Sequence, residues 1–270
     1  MPLTQEQQEA VRMGTPIEWN GLTLFPILMK DYNRFIIAQM GLTAQQQTLP
    51  SKYVVMRYLE ALYALDYDVR TNGGPQGGFF SRILLFLMLS LRLEVRKGLD
   101  GEEYIPIGIQ TEKDNPRKLT ALEVTQGEMS VEITPQNFVQ LREILAAQNE
   151  VELPDETLNA ELVQAERDLA AKSSLNLVPD SEALIYSVSV KTQIPVEDIF
   201  QWTVRRFVLT ERAIDRITGH LVAALSEAAG AKYKNGNPWP SWKYDRDKHS
   251  SALVSLAELT QRLSGSVEAR

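Results

Sequence analysis

The stretch YIPIGIQTEKDNPRKLTALEVTQGEMSVEI, residues 104–133, decides the fold class. Three short segments inside it, YIPIGIQ, KLTALEV and MSVEI, are rich in β-branched residues and alternate between apolar and polar positions. That pattern suits half-buried strands. Asp114-Asn115-Pro116 and Gln126-Gly127-Glu128 lie between them, and both runs carry turn-forming residues. The spacing predicts a three-stranded meander at the centre of the chain. Most of the remaining sequence reads as helix, so the expected class is α+β, predominantly helical, with a C-terminal helical bundle.

On the N-terminal side of the meander, residues 16–28 (PIEWNGLTLFPIL) read as a short hairpin. Asn20-Gly21 supplies the two positive-φ positions of its turn, and Pro26 ends or edges the second strand. A helix is expected over 29–40, closed by Gly41. Another is expected over 51–65, capped by Ser51, with Val55, Leu59 and Leu62 on one face and Tyr58 and Leu65 beside them. The glycine-rich stretch 71–78 (TNGGPQGG) does not read as a phosphate loop. No Gly-Lys-Ser/Thr follows it and no apolar strand precedes it. It is read as a connector to an apolar helix over 79–95. The core of that helix, Ile83 to Leu93, is too short to span a bilayer, is bounded by Arg82 and is interrupted by Arg92.

On the C-terminal side, a helix is expected over 135–148. Thr134 caps it, Pro135 takes the first position, and Phe138, Leu141 and Leu145 form the buried stripe. A further helix, capped by Asp155, runs to about Ala171. Residues 172–180 (KSSLNLVPD) read as a linker. The expected organisation is an N-terminal α+β domain over 1–171, that linker, and a C-terminal helical domain over 181–270. Within the last, a helix from Ser181 to about Lys191 and a turn at 192–194 precede a long helix from Pro195 to Ala229. Thr218-Gly219 is the place where it would bend or break. Phe200, Val204, Phe207, Glu211, Ile214, Thr218, Leu221 and Leu225 recur at alternating spacings of four and three. They form a heptad seam interrupted by polar residues. A final helix is expected over 251–263.

Composition narrows the chemistry. With no cysteine there is no disulfide, thiolate metal site or thiol nucleophile. The two histidines, His220 and His249, are not at metal-ligand spacing. No serine sits in a GxSxG elbow, and no spacing singles out a carboxylate pair. The expectation is a non-enzymatic protein without cofactor or metal. The net charge of −7 argues against a globally basic nucleic-acid binder. The N-terminus (MPLTQEQQEAVR) lacks the basic start and apolar run of a signal peptide, which points to a cytoplasmic protein.

Two segments leave alternatives open. Residues 181–206 have a helix–turn–helix outline with Trp202, Arg205 and Arg206 on the second helix, residues that allow DNA reading. However, Glu197 and Asp198 occupy its first turn, and the usual turn glycine is missing. Residues 232–249 (KYKNGNPWPSWKYDRDKH) interleave four aromatics with five basic residues. Such a loop suits nucleic-acid stacking. Capping of a helical core, or docking of a partner, through Trp239 and Trp242 fits it better, because the chain as a whole is acidic.

Three stretches together resemble the tail assembly chaperones and small morphogenesis proteins of long-tailed bacteriophages: PIEWNGLTLFPILMKDYNRF (16–35), IPVEDIFQWTVRRFVLTERAIDR (194–216) and KNGNPWPSWKYDR (234–246). The resemblance implies a strand pair leading into a helix, a helical C-terminal half, no catalytic residues and work in the host cytoplasm. It implies phage tail partners, the tape-measure or tail-tube protein, rather than a small molecule, membrane or nucleic acid, with homo-oligomerisation open. The 104–133 meander departs from a minimal all-helical chaperone and leaves room for a structural component of the particle. The partner-binding residues expected on this reading are Phe200, Val204, Phe207, Ile214 and Leu221 on the seam, and Trp239 and Trp242 on the aromatic loop. The alternative is a DNA-binding or regulatory protein using the 181–206 helix pair and the 232–249 loop.

Overall fold

A computed structural model of the chain describes residues 3–73, 77–97, 103–155, 180–233, 237 and 239–243. The helices expected over 155–171 and 251–263, all of the 172–180 linker but Asp180, and much of the 232–249 loop lie outside the described residues. Internal contacts divide the chain into two compact units. One comprises Met1–Pro154 with Glu197–Phe207, the other Asp155–Val196 with Val208–Arg270. The fold is α+β and predominantly helical.

The first unit opens with a helix, α1 (Gln5–Met13), absent from the sequence reading although its signals are in the chain. Thr4 and Gln7 form a reciprocal capping box, and Gly14 closes the last turn in the left-handed region. The hairpin follows as expected. Strands β1 (Ile17–Trp19) and β2 (Leu22–Leu24) pair in antiparallel register, with positive φ at both Asn20 and Gly21. Ile17, Trp19, Leu22 and Leu24 are all buried. A 3₁₀ turn (Met29–Asp31) then leads into α2 (Tyr32–Leu42).

The single helix expected over 51–65 is two helices, α3 (Ser51–Val54) and α4 (Tyr58–Asn72). The Gln46 side-chain amide draws the chain apart there, donating to the carbonyls of Tyr53, Val54 and Met56. Val55, placed by periodicity on the buried face, is consequently 87% exposed. Helix α5 (Phe79–Ser90) is shorter than its expected 79–95 span and buries Phe80, Ile83, Phe86, Leu87 and Met88. Asp66, itself buried on α4, accepts the Gly78 and Phe80 N–H groups at 2.8 and 3.1 Å and so satisfies the start of α5. At the crossing of α2 and α5, a Cβ on Gly41 would lie 2.7 Å from the Ile83 nitrogen, so only glycine allows that approach.

A two-residue ladder, β3 (Arg96–Lys97) with β4 (Glu103–Tyr104), precedes the meander β5 (Ile107–Glu112), β6 (Asn115–Gln126) and β7 (Met129–Ile133). Its order is β5-β6-β7, all antiparallel, as the sequence predicts. β6 buries Leu119, Ala121, Leu122 and Val124. Helix α4 packs against β6, and Tyr63 donates its hydroxyl to the Pro116 carbonyl at 3.0 Å. Helix α6 (Phe138–Gln148) begins three residues later than expected, after a turn in which the Thr134 hydroxyl accepts the Asn137 N–H. Its stripe of Phe138, Leu141 and Leu145 is fully buried.

Helix α7 (Ser181–Thr192), capped by Asp180, belongs to the second unit. The long helix expected from Pro195 to Ala229 is interrupted. A single turn, α8 (Val196–Ile199), ends before residues 200–203, and α9 (Val204–Ala228) begins after them. Within α9 there is no break at Thr218-Gly219.

Candidate functional site

The interruption before α9 has a tertiary cause. Residues 27–30 lie alongside 200–204 inside the first unit. The Met29 and Lys30 N–H groups donate to the Trp202 and Phe200 carbonyls, the Val204 N–H donates to Ile27 O, and Leu28 bridges Thr203. Carbonyls that would continue a helix are thereby taken by the N-terminal segment. The Thr203 hydroxyl accepts the Arg206 N–H at 3.1 Å and starts α9. Ile199, Trp202, Val204 and Phe207 are buried, with the Phe207 ring 6.0 Å from that of Tyr32.

Side-chain amides hold the same region from the other side. Asn149 accepts the Ile27 N–H at 2.8 Å, Gln148 donates to Leu24 O, and Gln126 both accepts from Thr23 N–H and donates to Thr23 O and Leu91 O. These amides satisfy backbone groups that the short strands leave without ladder partners. Beside them, residues 26–34 and 88–95 line an open cleft of about 440 Å³. Ile27 and Met88 form its buried part, and Lys30, Asp31, Arg34, Arg92 and Glu94 carry charges of both signs around it. Asp31 pairs with Arg34 at 3.4 Å, and the Arg92 guanidinium stacks 4.2 Å from the Phe25 ring centre. Among the described residues lining the cleft there is no serine, threonine, cysteine or histidine.

A dense ionic cluster in the first unit centres on Asp68. Its Oδ2 atom receives Lys52 Nζ at 2.8 Å, the Tyr53 hydroxyl at 2.7 Å and Arg117 Nη2 at 2.9 Å. Burial pushes the Asp68 carboxyl upward, but the Lys52 and Tyr53 hydrogen bonds and the neighbouring charges of Arg117 and Lys52 outweigh it. The group is held below its ordinary value. Lys52 and Tyr53 on α3 and Arg117 on β6 all converge on Asp68 of α4, so the cluster ties these three elements together. Among the described residues, no group of His, Asp or Glu side chains is arranged to hold a metal ion. No helix among them is long and apolar enough to cross a membrane.

The expected partner-binding residues do not share one surface. Val204 and Phe207 are core residues of the first unit, because the clasp at 200–204 turns them inward. Phe200 lies in the interruption, 37% exposed, with its carbonyl committed to Lys30. Ile214 and Leu221 stand on α9 in the second unit, Ile214 half-buried and Leu221 56% exposed. Ile217, Val222 and Leu225 are exposed with them, Leu225 by 71%. Sequence reading missed Ile217 and Val222, although a continuous helix places them within about one residue's turn of the seam.

Trp239 packs against the other side of α9. A Cβ on Gly219 would meet its ring at 2.6 Å, and its carbonyl lies 2.9 Å from His220 Nδ1. Of the readings open for the aromatic loop, capping accounts for Trp239, while Trp242 is 51% exposed. The would-be DNA-reading helix is reduced to the single turn α8. Trp202 is buried, Arg205 pairs with Glu150, and the Arg206 guanidinium lies 4.1 Å from the Trp202 ring centre.

At 100° per residue, Ile214, Ile217, Leu221, Val222 and Leu225 fall on one broad arc of α9, and Gly219 and Ala223 fall opposite. Ala223 is buried and Gly219 carries Trp239, so the helix has an inner face used by its own unit and an outer apolar face. Glu211 interrupts the outer face and Asp215 follows one turn on. Burial pushes the Glu211 carboxyl up, the Asp215 charge adds to the rise, and Arg212 opposes it. No family model, curated protein or solved structure matches the chain.

Proposed function

We propose that this protein is a non-enzymatic assembly factor of a long-tailed bacteriophage, a tail assembly chaperone, that binds an apolar helical tail protein through the outer face of α9. The observation that carries this reading is the run of Ile217, Leu221, Val222 and Leu225 left exposed along a 25-residue helix whose opposite face is packed. An apolar stripe of that length is costly to leave in water, and offering it to an amphipathic helix is a common mode of recognition. The negative net charge helps to keep such a complex soluble. The three stretches that resemble phage morphogenesis proteins supply the biological setting. A structural component of the particle is the neighbouring reading, supported by the size of the β-containing first unit.

The test is co-expression with the tape-measure protein of the same phage. The expected result is a soluble co-eluting complex with the wild-type chain, and an aggregated tape measure with Leu221→Asp/Leu225→Asp. Both substituted residues are exposed, so circular dichroism and the unfolding midpoint of the variant should match the wild type. A tape measure equally soluble with either chain overturns the reading.

A further inference from the structure

We propose that the helix received by α9 is basic along one edge, with lysine or arginine set against Glu211 and Asp215. This rests on the assignment of α9 as the binding face and specifies the chemistry of its partner. The outer face is not uniformly apolar. Counting 100° per residue, Glu211 lies roughly 60° from Ile214, between the directions of Leu225 and Val222. It therefore stands within the arc that a docked helix would cover. Asp215 stands four residues on, at the border of the same arc, and like charges at that spacing repel each other. Glu211 is already half-buried in the free chain, and its proton affinity is raised by that burial and by Asp215.

A partner that laid only leucines over this region would remove the remaining water from Glu211 and give nothing back. Burying an uncompensated charge is strongly unfavourable. An acidic partner would add a third negative charge. A basic side chain reaching between the two carboxylates relieves their mutual repulsion and supplies the hydrogen bonds that desolvation removes. The carboxylates would thus select among apolar helices, as polar positions within a coiled-coil seam do. Arg212 already offsets part of the Glu211 rise, but it and Arg216 point roughly 160–200° away from Ile214, outside the arc that a docked helix would cover. A second copy laid parallel on this face would set Glu211 against Glu211, which disfavours self-pairing.

The experiment uses the full-length chain and two synthetic helical peptides with the same leucine face, one flanked by lysine and one by glutamate. Binding is read by fluorescence anisotropy at low and at physiological salt. The lysine peptide is expected to bind about tenfold or more tightly than the glutamate peptide. The preference should shrink with salt and fall towards unity in Glu211→Gln/Asp215→Asn. Leu221→Asp should abolish binding of both. Equal affinities, or a preference that survives the double variant, overturn the inference and leave α9 as a binding face. Failure of both peptides to bind a folded chain overturns the binding face as well. A chain that sediments as a dimer dispersed by Leu221→Asp, and binds neither peptide, assigns the face to a second copy instead.

Discussion

The two ends of α9 carry the same kind of residue to opposite fates. Val204 and Phe207 sit at the N-terminal end and are buried in the first unit, under a clasp that reaches back to residues 27–30. Leu221 and Leu225 continue the same heptad spacing towards the C-terminal end and are largely exposed. Periodicity reports that a face wants covering. It does not report whether the cover belongs to the same chain. The difference is made by backbone groups: the first end is fixed by three main-chain hydrogen bonds with residues 27–30, and Asn149 holds that segment from behind.

The sharpest way to break this comparison is to truncate one residue at each end. Phe207→Ala should cost about 3–5 kcal/mol in denaturant unfolding, because it empties a closed site beside Tyr32. Leu221→Ala should change stability by less than about 0.5 kcal/mol. If both cost the same, the exposed end is covered after all. Asn149→Ala should cost about 1–3 kcal/mol, since the Ile27 N–H is left without its buried acceptor. That variant should also raise hydrogen exchange at Val204 while leaving Leu225 unchanged.

On the packed side of α9, Gly219→Ala drives a methyl group into the Trp239 ring. A loss of about 1–2 kcal/mol is expected, with a red shift in tryptophan emission. An unchanged spectrum would mean that Trp239 does not rest there in solution. The smallest effect concerns pH. The folded-state pKa of Asp68 is lowered, so its contribution is present above the unfolded value near 3.8 and is lost as pH falls through the folded value. Unfolding midpoints should therefore drop below about pH 4, and Asp68→Asn should flatten that acid limb. A variant with the wild-type acid profile would show that the Lys52–Asp68–Arg117 cluster is not coupled to folding.

Most elements of the fold were legible from local signals. The meander announces itself through alternation and turn residues, and Asn20-Gly21 sets the hairpin. The helix interiors follow the 3.6-residue period. Helix α1 was legible too, through Thr4-x-x-Gln7 and Gly14, signals that a search for apolar periodicity passes over in so polar a segment. The two helix interruptions were not legible. The first depends on where the Gln46 amide comes to rest and the second on a segment about 170 residues away; only Thr203, a capping residue at the start of α9, marks the second break locally. The candidate site divides in the same way. Leu221 and Ile214 could be read from spacing, whereas the burial of Val204 and Phe207 and the seating of Trp239 on Gly219 depend on tertiary contacts.

The clasp between residues 27–30 and 200–204 also sets a schedule. During synthesis, residues 1–154 leave the ribosome with the places for Ile199, Trp202 and Phe207 still empty, and the missing segment is separated from them by Asp155–Val196. At about 5–20 residues per second, that intervening stretch delays closure by roughly 2–8 s. For that interval the nascent first unit presents the apolar seat beside Tyr32 to the cell, and then closes it with its own late-arriving segment 197–203 and the start of α9. A protein proposed to shelter another's apolar helix thus begins its life with an unfilled site of its own.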